Sequence, residues 1–227
     1  MPLDVSIAGI SKSYGQGLHK TPVLRDVNVK VSAGQSLAIT GPSGSGKSTL
    51  LSLISGLDVP DSGTITIGDT NIFNLSETHM LAWRARNLGI VFQNFLLLPY
   101  LTSLENVSLP LEIFGDKNAT AKAEKALELV GLAHRKTHLP SQLSGGECQR
   151  VAIARAFVTN PGMLVADEPS GNLDEKTGFS VMQLLFDLVK NQKTTLILVT
   201  HNQKLADLCD LRFVLDGGTL TRQNVQP

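Results

Sequence analysis

The chain has little cysteine, 2 residues in 227, and its aromatic residues make up only 5%. Cys148 and Cys209 are too few for a disulfide framework, and no metal-ligand spacing surrounds them. Both read as reduced thiols of a cytoplasmic protein. Neither sign of charge is in excess: 20 Lys+Arg balance 20 Asp+Glu, a formal net charge of +0. A general nucleic-acid binder would carry a basic surplus, and an electrostatic membrane anchor a polybasic run; no nucleic-acid partner is expected. Long hydrophobic runs are missing too. Residues 95–98 and 196–199 fall far short of the roughly 20 apolar residues that span a bilayer. Met1-Pro2-Leu3-Asp4 lacks the basic-then-apolar pattern of a secretory signal. Direct membrane insertion is therefore not expected, and any membrane role must run through another polypeptide. In such a chain the Asn-x-Ser/Thr sequences at Asn74, Asn106 and Asn118 are chance matches.

Glycine and apolar residues, by contrast, are plentiful: 20 glycines and 42% hydrophobic residues, enough for one large domain, 1–227, with a real core. Patterning predicts strands over 3–9 and 23–31 joined by a polar loop, 15–22. A short strand, 36–40, runs into a glycine loop and then a helix over 49–57. After a turn at 60–63, residues 64–67 alternate as a strand. From Glu77 the pattern is helical, then 88–92 forms a strand ending at Gln93. Residues 95–160 read as a largely helical insertion, in which Ala119, Ala123, Ala126, Leu127 and Val130 give one apolar face. Residues 163–166 and 195–200 read as buried strands around a helix at 177–190. The fold class is α/β, with a small antiparallel β layer at the start and a helical subdomain in the middle.

The run Gly41-Pro42-Ser43-Gly44-Ser45-Gly46-Lys47-Ser48-Thr49 fits the phosphate-loop pattern in its required context, strand before and helix after. Its glycines let successive N–H groups point at one anion, and the helix start adds partial positive charge. Lys47 is placed to reach the β- and γ-phosphates of ATP and the Ser48 hydroxyl to ligate Mg²⁺. Asp167 and Glu168 close the apolar run that begins at Met163. Asp167 suits the Mg²⁺ shell, and Glu168 suits a general base that polarises the attacking water. Between these motifs lies Leu143-Ser144-Gly145-Gly146-Glu147-Cys148-Gln149-Arg150. Ser144, Gly145 and Gly146 open a helix, 147–158, turning free N–H groups and a hydroxyl toward negative charge. Ser144 also suits a plain N-cap, although a cap needs neither paired glycine.

Together these elements resemble the ATP-binding cassette (ABC) family over nearly the whole chain. The resemblance implies a P-loop NTPase fold: an ABC nucleotide-binding domain with a RecA-like core. It implies that Ser144 and Gly146 bind the γ-phosphate of ATP held by a second copy, so that two chains enclose two ATP molecules head to tail. Gln93 matches the family's glutamine that senses Mg²⁺ and the attacking water, and His201 its γ-phosphate-contacting histidine. Asp174, in Ser170-Gly171-Asn172-Leu173-Asp174, matches the aspartate that reaches across the dimer, and Tyr14 sits where an aromatic stacks on adenine. The stretch from Ala166 to Asp174, with 140–147 and 104–110, is similar to the lipoprotein-release, macrolide-export and cell-division branch, as is the long loop 15–22. That likeness implies an ATPase subunit peripheral on the cytoplasmic face of the inner membrane, paired with a separate permease through residues around 93–101. The alternative it leaves is a regulatory ATPase acting through a membrane partner without cargo. Cys148 departs from the family's usual Gln. It reads as a passive small side chain; the alternative is a dipole-favoured thiolate whose alkylation slows turnover.

Overall fold

The computed structural model describes residues 1–15 and 20–223. Residues 16–19 of the predicted loop 15–22 lie outside them. Strands β3 (Ser36–Thr40), β6 (Leu88–Val91), β7 (Met163–Asp167) and β8 (Thr195–Val199) form the parallel heart of a six-stranded sheet, with β9 (Leu211–Asp216) and β10 (Thr219–Arg222) as an antiparallel hairpin at one edge. The strand order is β10-β9-β3-β8-β7-β6. Every residue of β3 and β8 is buried, as expected of a parallel sheet covered on both faces. Alternation then divides the core in two. Leu37, Ile39, Val165, Ile197 and Val199 face helix α1 (Lys47–Ile54) and the first sheet, while Ala38, Leu164, Ala166, Leu196 and Leu198 face the helices opposite.

The first sheet has the order β2-β1-β4-β5 and is antiparallel: β1 (Val5–Tyr14), β2 (Thr21–Val31), β4 (Ser62–Ile67) and β5 (Thr70–Asn71). Helix α2 (Glu77–Asn87) leads into β6. Helices α3 (Ser103–Ile113), α4 (Ala119–Leu129) and α5 (Gly145–Phe157) pack together through Val107, Leu111, Ala123, Leu127 and Val151, and α6 (Glu175–Gln192) joins the same core through Val181 and Leu185. A single-turn helix, α7 (Gln203–Ala206), precedes β9.

The expected helical insertion differs at its start. Residues 93–102 form turns and irregular backbone, and the first helix begins only at Ser103. Phe95 (φ 56) and Leu96 (φ 50) are left-handed, and Pro99 follows. Buried Asn106 then fastens the loop, accepting from Leu98 N–H and donating to the carbonyls of Leu98, Leu101 and Thr102. That burial accords with the reading of its Asn-x-Ser sequence as chance. No helix among the described residues is long and apolar enough to cross a membrane.

Candidate nucleotide site

Strand order dictates where the chemistry meets, because ligand groups gather beyond the carboxyl ends of parallel strands. β3 runs into the glycine loop, β8 into Thr200 and His201, β7 ends in Asp167 and is followed by Glu168, and β6 leads to Gln93. Adjacent strands therefore deliver Lys47, His201, Asp167, Glu168 and Gln93 to one cleft of about 590 Å³, lined also by Tyr14.

The loop needs its glycines. At Gly41 (φ 144) a Cβ would stand 2.1 Å from the Leu215 carbonyl oxygen, and at Gly46 (φ 101) 2.9 Å from a Val23 methyl. No side chain caps α1, so its first N–H groups have no side-chain acceptor and present an anion site. Lys47 Nζ donates to the carbonyls of Gly41 (2.9 Å) and Pro42 (2.8 Å), which holds the ammonium across the loop. Ser48 and Thr49 line the cleft, as do Ser43 and Gly44, whereas Ser45 is buried with its hydroxyl unpartnered.

Burial raises the pKa of Asp167, and the Ser48 hydroxyl and Lys47 charge partly offset that rise. Ser48, Asp167 and Gln93 line the same cleft. Hydroxyl, carboxylate and amide oxygens are hard donors of the kind Mg²⁺ takes, leaving positions for water and phosphate. The residues fit the ion.

Glu168 is itself left-handed (φ 45), and its N–H is bonded to Val199 O at 3.0 Å. Its Oε2 lies 2.8 Å from His201 Nδ1 and also accepts from the His201 N–H at 3.3 Å. The carboxylate is largely enclosed while the imidazole stands at the mouth, 73% exposed. The sequence placed both residues at strand ends but did not pair them. Gln93 is held by a residue that sequence reasoning passed over. Its Nε2 donates to Asn172 Oδ1 (3.3 Å), and Asn172 Nδ2 donates back to Gln93 O (3.0 Å) and to Asn94 Oδ1 (2.9 Å). A side chain at Gly171 would stand 2.7 Å from Gln93 Nε2, so the glycine makes this approach possible.

Tyr14 closes the strand β1 with its ring partly exposed at the cleft. Its hydroxyl donates to Asp58 (2.7 Å), which also takes Lys12 at 2.7 Å, and the Lys12 ammonium lies 5.0 Å from the ring centroid. Asp58 raises the phenol's pKa and fixes the ring in place. Nothing in the local sequence links Tyr14 to a carboxylate 44 residues away.

Ser144, Gly145 and Gly146 do not line this cleft. Ser144 caps α5: its Oγ accepts from Glu147 N–H (3.3 Å) while Glu147 Oε2 accepts from Ser144 N–H (2.8 Å) and O–H (2.9 Å), a reciprocal capping box. Arg135 meets Glu147 at 3.0 Å, and these bonds lower the carboxyl's pKa. Gly146 is buried, and a Cβ there would stand 2.5 Å from Thr177 Cγ2. Close helix packing thus explains one glycine of the pair. Asp174, predicted to reach across a dimer, caps α6 by accepting from Thr177 N–H at 3.0 Å.

At Cys148 the structure favours the passive small side chain over the thiolate alternative. The side chain is buried with Sγ 3.6 Å from Pro140 O, and burial, reinforced by the Glu147 charge, raises its pKa. Enclosure outweighs the helix dipole. The segment 93–101 is exposed as a ridge, with Tyr100 91% accessible. Beside it runs an apolar groove of about 640 Å³ that the sequence did not reveal, lined by Leu81, Ala85, Ile90, Ile113, Phe114 and Arg155 among others. Its residues come from four elements, so no local pattern marks it.

The family model described as "ABC transporter" matches residues 24–171, and the chain belongs to that family. Among its relatives it is 45% identical over 221 residues to the uncharacterized ABC transporter ATP-binding protein YbbA of Escherichia coli K12, covering 96% of this chain and 97% of that protein. It is 49% identical over 211 residues to the lipoprotein-releasing system ATP-binding protein LolD of Legionella pneumophila strain Lens, covering 92% and 93%. The solved dimeric cassette MJ0796, in a post-hydrolysis state bound to ADP and Pi, superposes with a TM-score of 0.89 at 37% identity, covering 98% of this chain and 99% of that one.

Proposed function

We propose that this chain is the ATP-hydrolysing subunit of an ABC transporter complex of the YbbA and LolD kind, working as one nucleotide-binding domain on the cytoplasmic face of a membrane. One observation carries the reading: Lys47, Ser48, Asp167, Glu168, Gln93 and His201 share a cleft, while Ser144 sits on a helix tip outside it. A site so divided is completed by a second copy, head to tail.

In the complete site the loop N–H groups and Lys47 cradle the phosphates, and Tyr14 stacks on adenine. Ser48, Asp167 and Gln93 would hold Mg²⁺, which would supply positive charge against the phosphates. Glu168 accepts a proton from the attacking water, and its bond to His201 Nδ1 fixes the carboxylate's direction. That bond leaves the other ring nitrogen of His201 for a γ-phosphate oxygen. Ser144 and the N–H groups of Gly145 and Gly146 reach the same phosphate from the second copy, and Asp174 lies along the junction. Closure passes to a permease helix resting on the 93–101 ridge and in the apolar groove beside it.

The test is ATP hydrolysis by the purified protein, with Lys47→Ala and Glu168→Gln as controls, and purification of Glu168→Gln from membranes to identify its companions. Turnover that survives Glu168→Gln, or purely soluble companions, would count against the proposal.

A further inference from the structure

Arg155 is a cation that this chemistry does not use. Arg155 stands in the last turn of α5, half-buried, and burial lowers its pKa. Its two terminal nitrogens donate to backbone carbonyls, NH1 to Leu96 O (2.6 Å) and NH2 to Phe95 O (2.7 Å). Those carbonyls belong to two consecutive left-handed residues, φ 56 and 50. Side chains bearing Cβ disfavour that conformation, so the turn needs an external hold. A planar guanidinium holds its two donors in a rigid, parallel fork, whereas those of a lysine ammonium rotate freely.

The turn begins two residues after Gln93. At the other end of α5 the Phe95 ring lies near Gly145, its Cζ 3.9 Å from where a Cβ on that glycine would stand. Helix α5 has 13 residues, roughly 20 Å, with Ser144 at its tip and Arg155 near its end. Arg155 also lines the apolar groove. From the groove, the hydrogen-bonded path runs through Arg155 to the Phe95–Leu96 backbone, and along the chain to Gln93. It ends at Asn172, four residues after Glu168.

We propose that Arg155 is a positioning residue: its forked bonds hold the Phe95–Leu96 turn and through it set the geometry of Gln93. The proposal rests on the ATPase reading above.

The experiment is a double-mutant cycle with Arg155→Met, Arg155→Lys and Gln93→Ala, read by steady-state ATP hydrolysis and by amide exchange of the nucleotide-free protein. Arg155→Met is expected to lower kcat about tenfold or more, the scale of losing a charge-assisted bond, with KM for ATP changed less than about threefold. In a Gln93→Ala background the same change is expected to have less than about twofold further effect. Arg155→Lys should fall between parent and Met. Amides of 95–97 should exchange about tenfold faster in Arg155→Met while the α5 interior stays protected. A full, additive loss in the Gln93→Ala background would overturn the proposal, as would parent-like kcat in Arg155→Met. If Arg155→Met does not fold, Arg155→Lys carries the same cycle. If the parent hydrolyses no ATP, the functional reading fails separately, and exchange alone judges the clamp: parent-like rates at 95–97 would refute it.

Discussion

Ser144 caps α5 and is proposed to touch the γ-phosphate held by a second copy, two roles that mutation can pull apart. As the N-cap of α5 it accepts from Glu147 N–H and donates to the Glu147 carboxylate. Ser144→Ala loses both bonds and is expected to cost about 1 kcal/mol of stability, roughly 2–4 °C in Tm for a chain this long. Ser144→Asp retains a capping acceptor, offset in part by repulsion from Glu147, so its stability should lie between parent and Ala. At the junction the order reverses. A carboxylate set about 4 Å from the γ-phosphate is repelled by about 4 kcal/mol per unit charge at an effective dielectric of 20, roughly a thousandfold in association. The assay compares Glu168→Gln with the Glu168→Gln/Ser144→Asp double variant by light scattering with ATP, alongside urea denaturation of the single Ser144 variants. Asp should be the worse variant for dimerisation and Ala the worse for stability. If the double variant dimerises as readily as Glu168→Gln alone, Ser144 stays away from the phosphate and the reasoning fails.

Three further outcomes are expected. Gly146→Ala should lose about 1–3 kcal/mol through overpacking against Thr177 Cγ2, and Thr177→Ser, which removes that methyl, should recover most of it in a double-mutant cycle read by denaturation. Both cysteines should resist thiol reagents in the native state and react on unfolding, since Cys148 is buried and burial pushes the Cys209 thiol up to about 12; rapid native labelling of Cys148 would contradict its enclosure. The folded pKa of Glu147 is depressed below its ordinary 4.5, so its stabilising effect is present above that value and disappears as pH falls through the folded pKa. The stability gap between parent and Glu147→Gln, measured by denaturation from pH 7 downward, should therefore close on acidification.

How much the sequence disclosed follows from the range of each interaction. The glycine loop, the Asp167-Glu168 strand end and the Ser144 helix opening are local patterns, and the structure forms each where the pattern stood, with α1 beginning two residues sooner than expected. The sheet's buried strands were equally legible, because continuous apolar runs follow from coverage on both faces. The half-exposed strands β9 and β10 were not read at all, since their burial pattern has no clean alternation. Residues 95–102 fell within the expected helical insertion, 95–160, whereas Asn106 and Arg155 hold them as an irregular loop. Asn172 lay within a recognised run, yet its bonds to Gln93 span 79 residues. The Asp58–Tyr14 tether and the apolar groove are tertiary in the same sense.

The most direct test of the divided site is a crystal structure of Glu168→Gln with ATP and Mg²⁺. The account predicts a head-to-tail pair in which the γ-phosphate held by Lys47 of one copy lies about 3 Å from Ser144 Oγ of the other. A γ-phosphate enclosed by a single chain, with both Ser144 hydroxyls remote from any nucleotide, would contradict it.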